Sequence, residues 1–188
     1  MYKIALASKS PRRIQLLNDY GMQATPLPAD IVEKHPINCD YISTVMHLAL
    51  KKAMYVYTHE NITGYDLIIG SDTIVYNDEI LEKPSSKDDA YKMIKSLAGH
   101  EHIVATGIAI IDINNGKKYV SHVDTLVYVN DLTENEINEY INTEEPYDKA
   151  GAYAIQGIFG KHIEKYEGSY TNVMGLPMEK LQEMLKSI

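Results

Sequence analysis

The chain has 188 residues, 45% of them apolar and 23% charged, with one cysteine and a net charge of −8. These values fit a single globular domain over residues 1–188, large enough to bury roughly two-thirds of its unfolded surface, and they exclude an internal disulfide framework. The acidic balance argues against nucleic-acid or membrane-surface partners, and no apolar run nears the roughly 20 residues that span a bilayer, so a cytoplasmic protein is expected.

Tyr2 to Ala7 is apolar and weakly alternating, and reads as a short buried strand. Ser10 as N-cap and Pro11 at the first helical position open a helix whose apolar face carries Ile14, Leu16 and Leu17, with Gly21 placed to end it. Residues 22–39 hold three prolines and read as loop with a short extended piece. Val45, Leu48, Ala49 and Ala53 are helix-spaced between Asp40 and Tyr57. Asp66–Tyr76 fits a central buried strand, and Ser86–Leu97 an amphipathic helix closed by Gly99. Ile103–Ile113 and Lys118–Val129 read as an antiparallel hairpin turning at Asn114-Asn115-Gly116. Thr133-Glu134-Asn135-Glu136 is a capping-box pattern for a helix to Asn142, Ile158–Tyr166 reads as a strand, and Pro177–Lys186 as a last helix. Strands and helices alternate without a strict βαβ period, which predicts an α/β fold with a mixed sheet.

Three constellations carry chemistry. In the first, a strand runs through Ser8-Lys9-Ser10 into a helix start, where unpaired N–H groups and the helix dipole favour an anion. Arg12 and Arg13 sit in that first turn and offer forked grips on phosphate oxygens. A solvated basic helix start is the competing reading. In the second, Asp72 lies inside the most apolar strand, where a carboxylate is costly unless paired, hydrogen-bonded or metal-bound. Attack of water on a phosphoanhydride needs such a carboxylate, with cations such as Lys52, Lys83, Arg12 and Arg13 to take up the charge. Glu33 is a candidate second metal ligand. A strand-end cap or a buried pair with Lys83 explains Asp72 equally well, and Glu33 and Lys52 carry no local signal of their own. In the third, residues 145–157 mix small and polar residues; Gln156 carries a donor and an acceptor suited to a base edge, while a structural loop with a solvated Asp148–Lys149 pair is the alternative. His100 and His102 lack a third metal ligand and read as the polar face of a strand.

Three blocks together resemble the Maf family, also called septum-formation-inhibitor proteins. They are Leu6-Ala7-Ser8-Lys9-Ser10-Pro11-Arg12-Arg13, then Gly70-Ser71-Asp72-Thr73 with Glu82-Lys83-Pro84, then Glu145-Pro146-Tyr147-Asp148-Lys149-Ala150-Gly151-Ala152-Tyr153 through Gln156-Gly157. Gly168-Ser169-Tyr170 and Val173-Met174-Gly175-Leu176-Pro177 follow in the expected order. The resemblance implies a long curved mixed sheet flanked by helices, in two lobes around a central cleft, as in inosine triphosphate pyrophosphatases. It implies nucleoside triphosphate pyrophosphohydrolysis with Mg²⁺ or Mn²⁺, and a homodimer. By position, Asp72 matches the proton acceptor; Arg12, Thr73 and Gln156 match specificity positions; Ser8, Arg13, Glu33, Lys52 and Lys83 match phosphate- or metal-site positions. The third block resembles the branch acting on dTTP and UTP. Ser71 and Ala154 stand where the family pattern leads us to expect Ala and Gly; a hydroxyl at Ser71 would lie beside Asp72 and tune it. The alternatives are a purine or modified-base substrate, and a non-enzymatic nucleotide-binding regulator of cell division.

Overall fold

A computed structural model describes residues 2–36 and 39–188. Seven strands hydrogen-bond in the order β2-β1-β3-β5-β6-β7, with β4 attached to β3. They are β1 (Ile4–Leu6), β2 (Ala24–Pro26), β3 (Leu67–Asn77), β4 (Glu79–Leu81), β5 (Glu101–Asp112), β6 (Lys118–Val129) and β7 (Ile163–Glu167). β1 runs parallel to both β2 and β3, whereas β4 is antiparallel to β3 and β7 to β6, so the sheet is mixed. The chain divides into two compact units, the first holding residues 1–72, 106–123 and 175–188, the second residues 73–105 and 124–174.

In the first unit, α1 (Pro11–Asp19) follows β1, and its end is closed as the glycine predicts. Gly21 takes φ 72, its N–H donates to Asn18 O, and Met22 N–H donates to Leu17 O, the paired bonds of a Schellman end. Helix α2 (Tyr41–His59) starts at Asp40, whose carboxylate accepts from Ser43 N–H at 2.6 Å; that capping bond holds the Asp40 carboxyl below its usual range. The buried stripe of α2 includes Val45, Leu48, Ala49, Lys52, Ala53 and Val56, at spacings of three and four residues. Ala49 and Ala53 pack with Ala5, Ala7 and Ile68 in a core of small side chains. Two glycines set how close α2 can come: a Cβ at Gly70 of β3 would run into the Ala49 carbonyl, and one at Gly107 of β5 into the Val45 carbonyl. The last helix, α6 (Met178–Leu185), buries Met178, Leu181 and Met184.

In the second unit, α3 (Lys87–Leu97) is capped by Ser86 and α4 (Glu134–Ile141) by Thr133, where both halves of the predicted capping box form with Glu136. Around the fully buried Phe159 pack the rings of Tyr140 and Tyr153, at 4.9 and 5.1 Å between centroids. β5 and β6 are sheet neighbours, and the turn between them, at Gly116 with φ 70, belongs to the first unit. Two features of the second unit differ from what the sequence predicts, and one element adds to it. Ile158–His162 is a 3-10 turn and only Ile163–Glu167 is a strand, because the Glu145 carboxylate accepts the Ile158 and Phe159 N–H groups that a ladder would have used. A short helix, α5 (Tyr170–Val173), capped by Ser169, precedes the last helix. His102 is buried rather than part of a polar strand face, with its Nε2 2.7 Å from the Tyr153 hydroxyl.

Candidate functional site

Side chains alternate along β3, so Ile68, Gly70 and Asp72 share a face. Gly70 meets α2 at Ala49, and Lys52 lies three residues further along the same buried stripe. The close approach that Gly70 permits therefore brings a strand carboxylate and a helix ammonium together: Lys52 Nζ donates to Asp72 Oδ1 at 2.6 Å, with Lys52 only 7% and Asp72 only 5% exposed. The same ammonium pairs with Glu33 Oε1 at 2.9 Å. Glu33 lies in the irregular segment after β2, which Lys51 also ties to α2 by donating to Val32 O at 2.9 Å. One buried cation thus holds two carboxylates, and the Glu33 side chain keeps about half its surface open, at 48%. Sequence spacing left Lys83 as a partner for Asp72; the structure gives that place to Lys52.

The helix start of α1 faces this group. Ser10 forms no side-chain cap, and no acidic residue occupies the first turn, so no carboxylate in that turn answers the dipole. Ser8 Oγ accepts from Ser10 N–H at 3.2 Å and from Arg13 Nη1 at 3.3 Å, tying the loop to the arginine. Arg13 Nε donates to Gly175 O at 2.7 Å. Burial pulls the Arg13 pKa below its ordinary value, aided by Arg12, while the nearby negative charges of Asp72 and Glu33 oppose that shift. Arg13, Glu33, Lys52 and Asp72 therefore form one charged group in the first unit, joined by the Ser8 hydroxyl through its bond from Arg13, with half-buried Arg12 on the same helix turn. The Ser71 hydroxyl does not serve Asp72, as the sequence reading expected. It points to the other strand face and donates to Gly175 O at 2.8 Å. Gly175, at φ 106, thus accepts from two residues of the signature blocks, a role that the Met-Gly-Leu-Pro string alone does not disclose.

Three candidates belong to the second unit. Thr73 follows Asp72 along β3 and is half-buried; Lys83, just past β4, is exposed beside buried Pro84. Gln156 is exposed on the loop between buried Ile155 and Gly157. That loop is fixed from below. Tyr140 Oη donates at 3.1 Å to Glu145 Oε1 and lies 3.0 Å from Ala152 O, and burial raises the Tyr140 pKa well above its ordinary value. Gly151, at φ 64, packs where a Cβ would strike Val75. The Asp148–Lys149 pair forms, and Lys149 also donates to Glu145 O at 3.0 Å.

Among the described residues, no three or more His, Cys, Asp or Glu side chains gather as a metal-binding group. The available hard donor set is the Asp72 and Glu33 carboxylates. Two carboxylates within reach of one ammonium suit a cation that takes one or two protein oxygens and fills its other positions with phosphate oxygens and water.

A family model described as Maf-like protein matches residues 3–188. Curated relatives are similar over most of their length. A dTTP/UTP pyrophosphatase of Caldanaerobacter subterraneus subsp. tengcongensis is 46% identical over 98% of this chain and 88% of its own. One of Acetivibrio thermocellus is 43% identical over 99% of this chain and 95% of its own, and one of Alkaliphilus oremlandii 43% over 100% and 96%.

Proposed function

Because the chain belongs to the Maf-like protein family, we propose that it is a nucleoside triphosphate pyrophosphatase that hydrolyses dTTP and UTP to the monophosphate and pyrophosphate. The observation that carries this reading is the buried Lys52 ammonium joining Asp72 and Glu33 beside the Arg13–Ser8 helix start. A carboxylate that accepts protons, a basic helix start that takes phosphate oxygens and a second, partly open carboxylate are what hydrolysis of a phosphoanhydride requires. The names of the relatives supply the substrate.

In this reading the triphosphate lies at the α1 N-terminus, held by Arg13 and Arg12. Gly175 and Ser8 fix two sides of the Arg13 guanidinium, so its fork loses little freedom on binding. Water attacks the α phosphorus, and the bond from that phosphorus to the oxygen it shares with the β phosphorus breaks. The water proton passes to Asp72, and the electron pair of the broken P–O bond leaves on pyrophosphate. Lys52 keeps the Asp72 carboxylate in place throughout. Asp72 and Glu33 would hold a Mg²⁺ or Mn²⁺ ion, which neutralises triphosphate charge when bound. Lys83 adds charge to the phosphate end, while Thr73 and Gln156 select the base. A cytoplasmic homodimer completes the reading; among the described residues no helix is long and apolar enough to cross a membrane.

Initial rates over dTTP, UTP, CTP, dATP and dGTP, with Mg²⁺ or Mn²⁺ and with chelator, test it. The expected ranking places dTTP and UTP first, with turnover lost in chelator. Equal rates on purines would contradict the base assignment, and nucleotide binding without turnover would favour a regulator.

A further inference from the structure

We propose that Glu145 is the positioning residue that sets the base preference, acting through Gln156; this rests on Gln156 reading the base. Glu145 lies eleven residues before Gln156, yet its carboxylate is the anchor of the loop that displays it. Oε2 accepts from Ile158 N–H at 2.6 Å, and Oε1 accepts from Phe159 N–H at 3.1 Å and from Tyr140 Oη–H at 3.1 Å. Gly157 presses so closely on this carboxylate that a Cβ there would overlap it. The residues immediately after Gln156 are therefore bound through their backbone to one side chain.

The anchor is itself held. Tyr140, 3% exposed, brings its hydroxyl to both Glu145 and the Ala152 carbonyl, which joins the two ends of the loop. Behind Gly157, Phe159 is fully buried against Tyr140 and Tyr153, so the chain cannot slide along the carboxylate. Between these fixed points only Gln156, Gly157 and Ile158 are exposed. An amide that must present its donor and its acceptor to one base edge gains selectivity only if its backbone is fixed to a fraction of an ångström. The anchor supplies that constraint with a side chain that accepts three hydrogen bonds at once.

The Glu145 carboxylate is taken up by Tyr140 and by the Ile158 and Phe159 backbone, so its loss should change discrimination rather than phosphate chemistry. The test compares Glu145→Gln, Glu145→Ala, Gln156→Ala and the double variant Glu145→Ala/Gln156→Ala. The readouts are kcat/KM on dTTP and CTP, and turnover of inorganic tripolyphosphate, which has no base. Glu145→Gln keeps the shape and guards against misfolding in the alanine variant. The expected result is a dTTP-over-CTP preference that falls on the order of 10-fold to 100-fold in Glu145→Gln and Glu145→Ala. It should equal that of Gln156→Ala, with no further fall in the double variant, and tripolyphosphate turnover should be unchanged in the two Glu145 single variants. If Gln156→Ala loses the preference while both Glu145 variants keep it, the positioning role is overturned. If Glu145 variants lose dTTP, CTP and tripolyphosphate turnover alike, Glu145 is a fold residue and the inference is again overturned. If Gln156→Ala keeps the preference, the base-reading role fails, and with it this inference, while dTTP turnover by the unmodified protein still stands on its own.

Discussion

Replacing Asp72 by Asn keeps the shape of the side chain and removes its charge. Asp72 is nearly buried and meets Lys52 at 2.6 Å, so the variant turns an ion pair into a hydrogen bond from ammonium to amide oxygen. Lys52 is not stranded, because Glu33 still pairs with it at 2.9 Å. The stability loss should therefore be about 1–3 kcal/mol, the worth of a charge-assisted bond, and not the about 3–5 kcal/mol of a buried charge left alone. Activity should fall much further, by on the order of 10²-fold to 10⁴-fold in kcat, because the amide accepts no proton. Urea unfolding measures the first quantity, and pyrophosphate release from dTTP at saturating substrate the second. Lys52→Met is the complement: it leaves two close carboxylates with no shared cation and should cost more stability than Asp72→Asn. The double variant should be less destabilised than the sum of the two by about 1 kcal/mol or more, since neither change then leaves a buried partner behind. A folded Asp72→Asn protein with unchanged kcat, or strict additivity in the cycle, would refute the reasoning.

Gly70→Ala places a methyl against the Ala49 carbonyl and should force α2 outward, at a cost of about 1–3 kcal/mol; thermal unfolding reads the cost, and a fall in kcat larger than the lost folded fraction shows that Lys52 and Asp72 have separated. Burial pushes His102 down to about 4 from its ordinary 6.5, so the unfolded chain binds the proton first. This stabilising contribution is complete above pH 6.5 and is lost as pH falls towards 4, by about 3 kcal/mol in total. Urea midpoints against pH should show His102→Gln losing less stability than the parent across that window. Glu136→Ala removes half of the capping box on α4 and should cost about 0.5–2 kcal/mol with dTTP turnover unchanged, measured by urea unfolding and pyrophosphate release.

Signals that act within one turn of chain were readable from the sequence. Pro11, Gly21, Asp40, Ser86 and the Thr133–Glu136 box all mark the ends they were expected to mark. Lys52 gives no local signal and stands out only through the family resemblance; the structure buries it on the apolar stripe of α2, between Ala49 and Ala53, where a lysine requires a partner. The identity of that partner was not readable, because it depends on Gly70 and Gly107 letting the helix settle on the sheet. The turn at Ile158–His162 departs from the strand its sequence predicts for a related reason. Its residues have strand composition, but a carboxylate thirteen residues away takes their N–H groups. Ser71 and Gly175 lie 104 residues apart, and no local pattern announces a carbonyl shared with Arg13.

The central claim is that the Asp72 group directs water to the bond that frees pyrophosphate. Complete hydrolysis of dTTP, followed by phosphorus magnetic resonance, tests it most directly. The account predicts one dTMP and one pyrophosphate for each dTTP consumed, with neither formed at a measurable rate by Asp72→Asn. Orthophosphate and dTDP as the products, or pyrophosphate released equally fast by the variant, would contradict it.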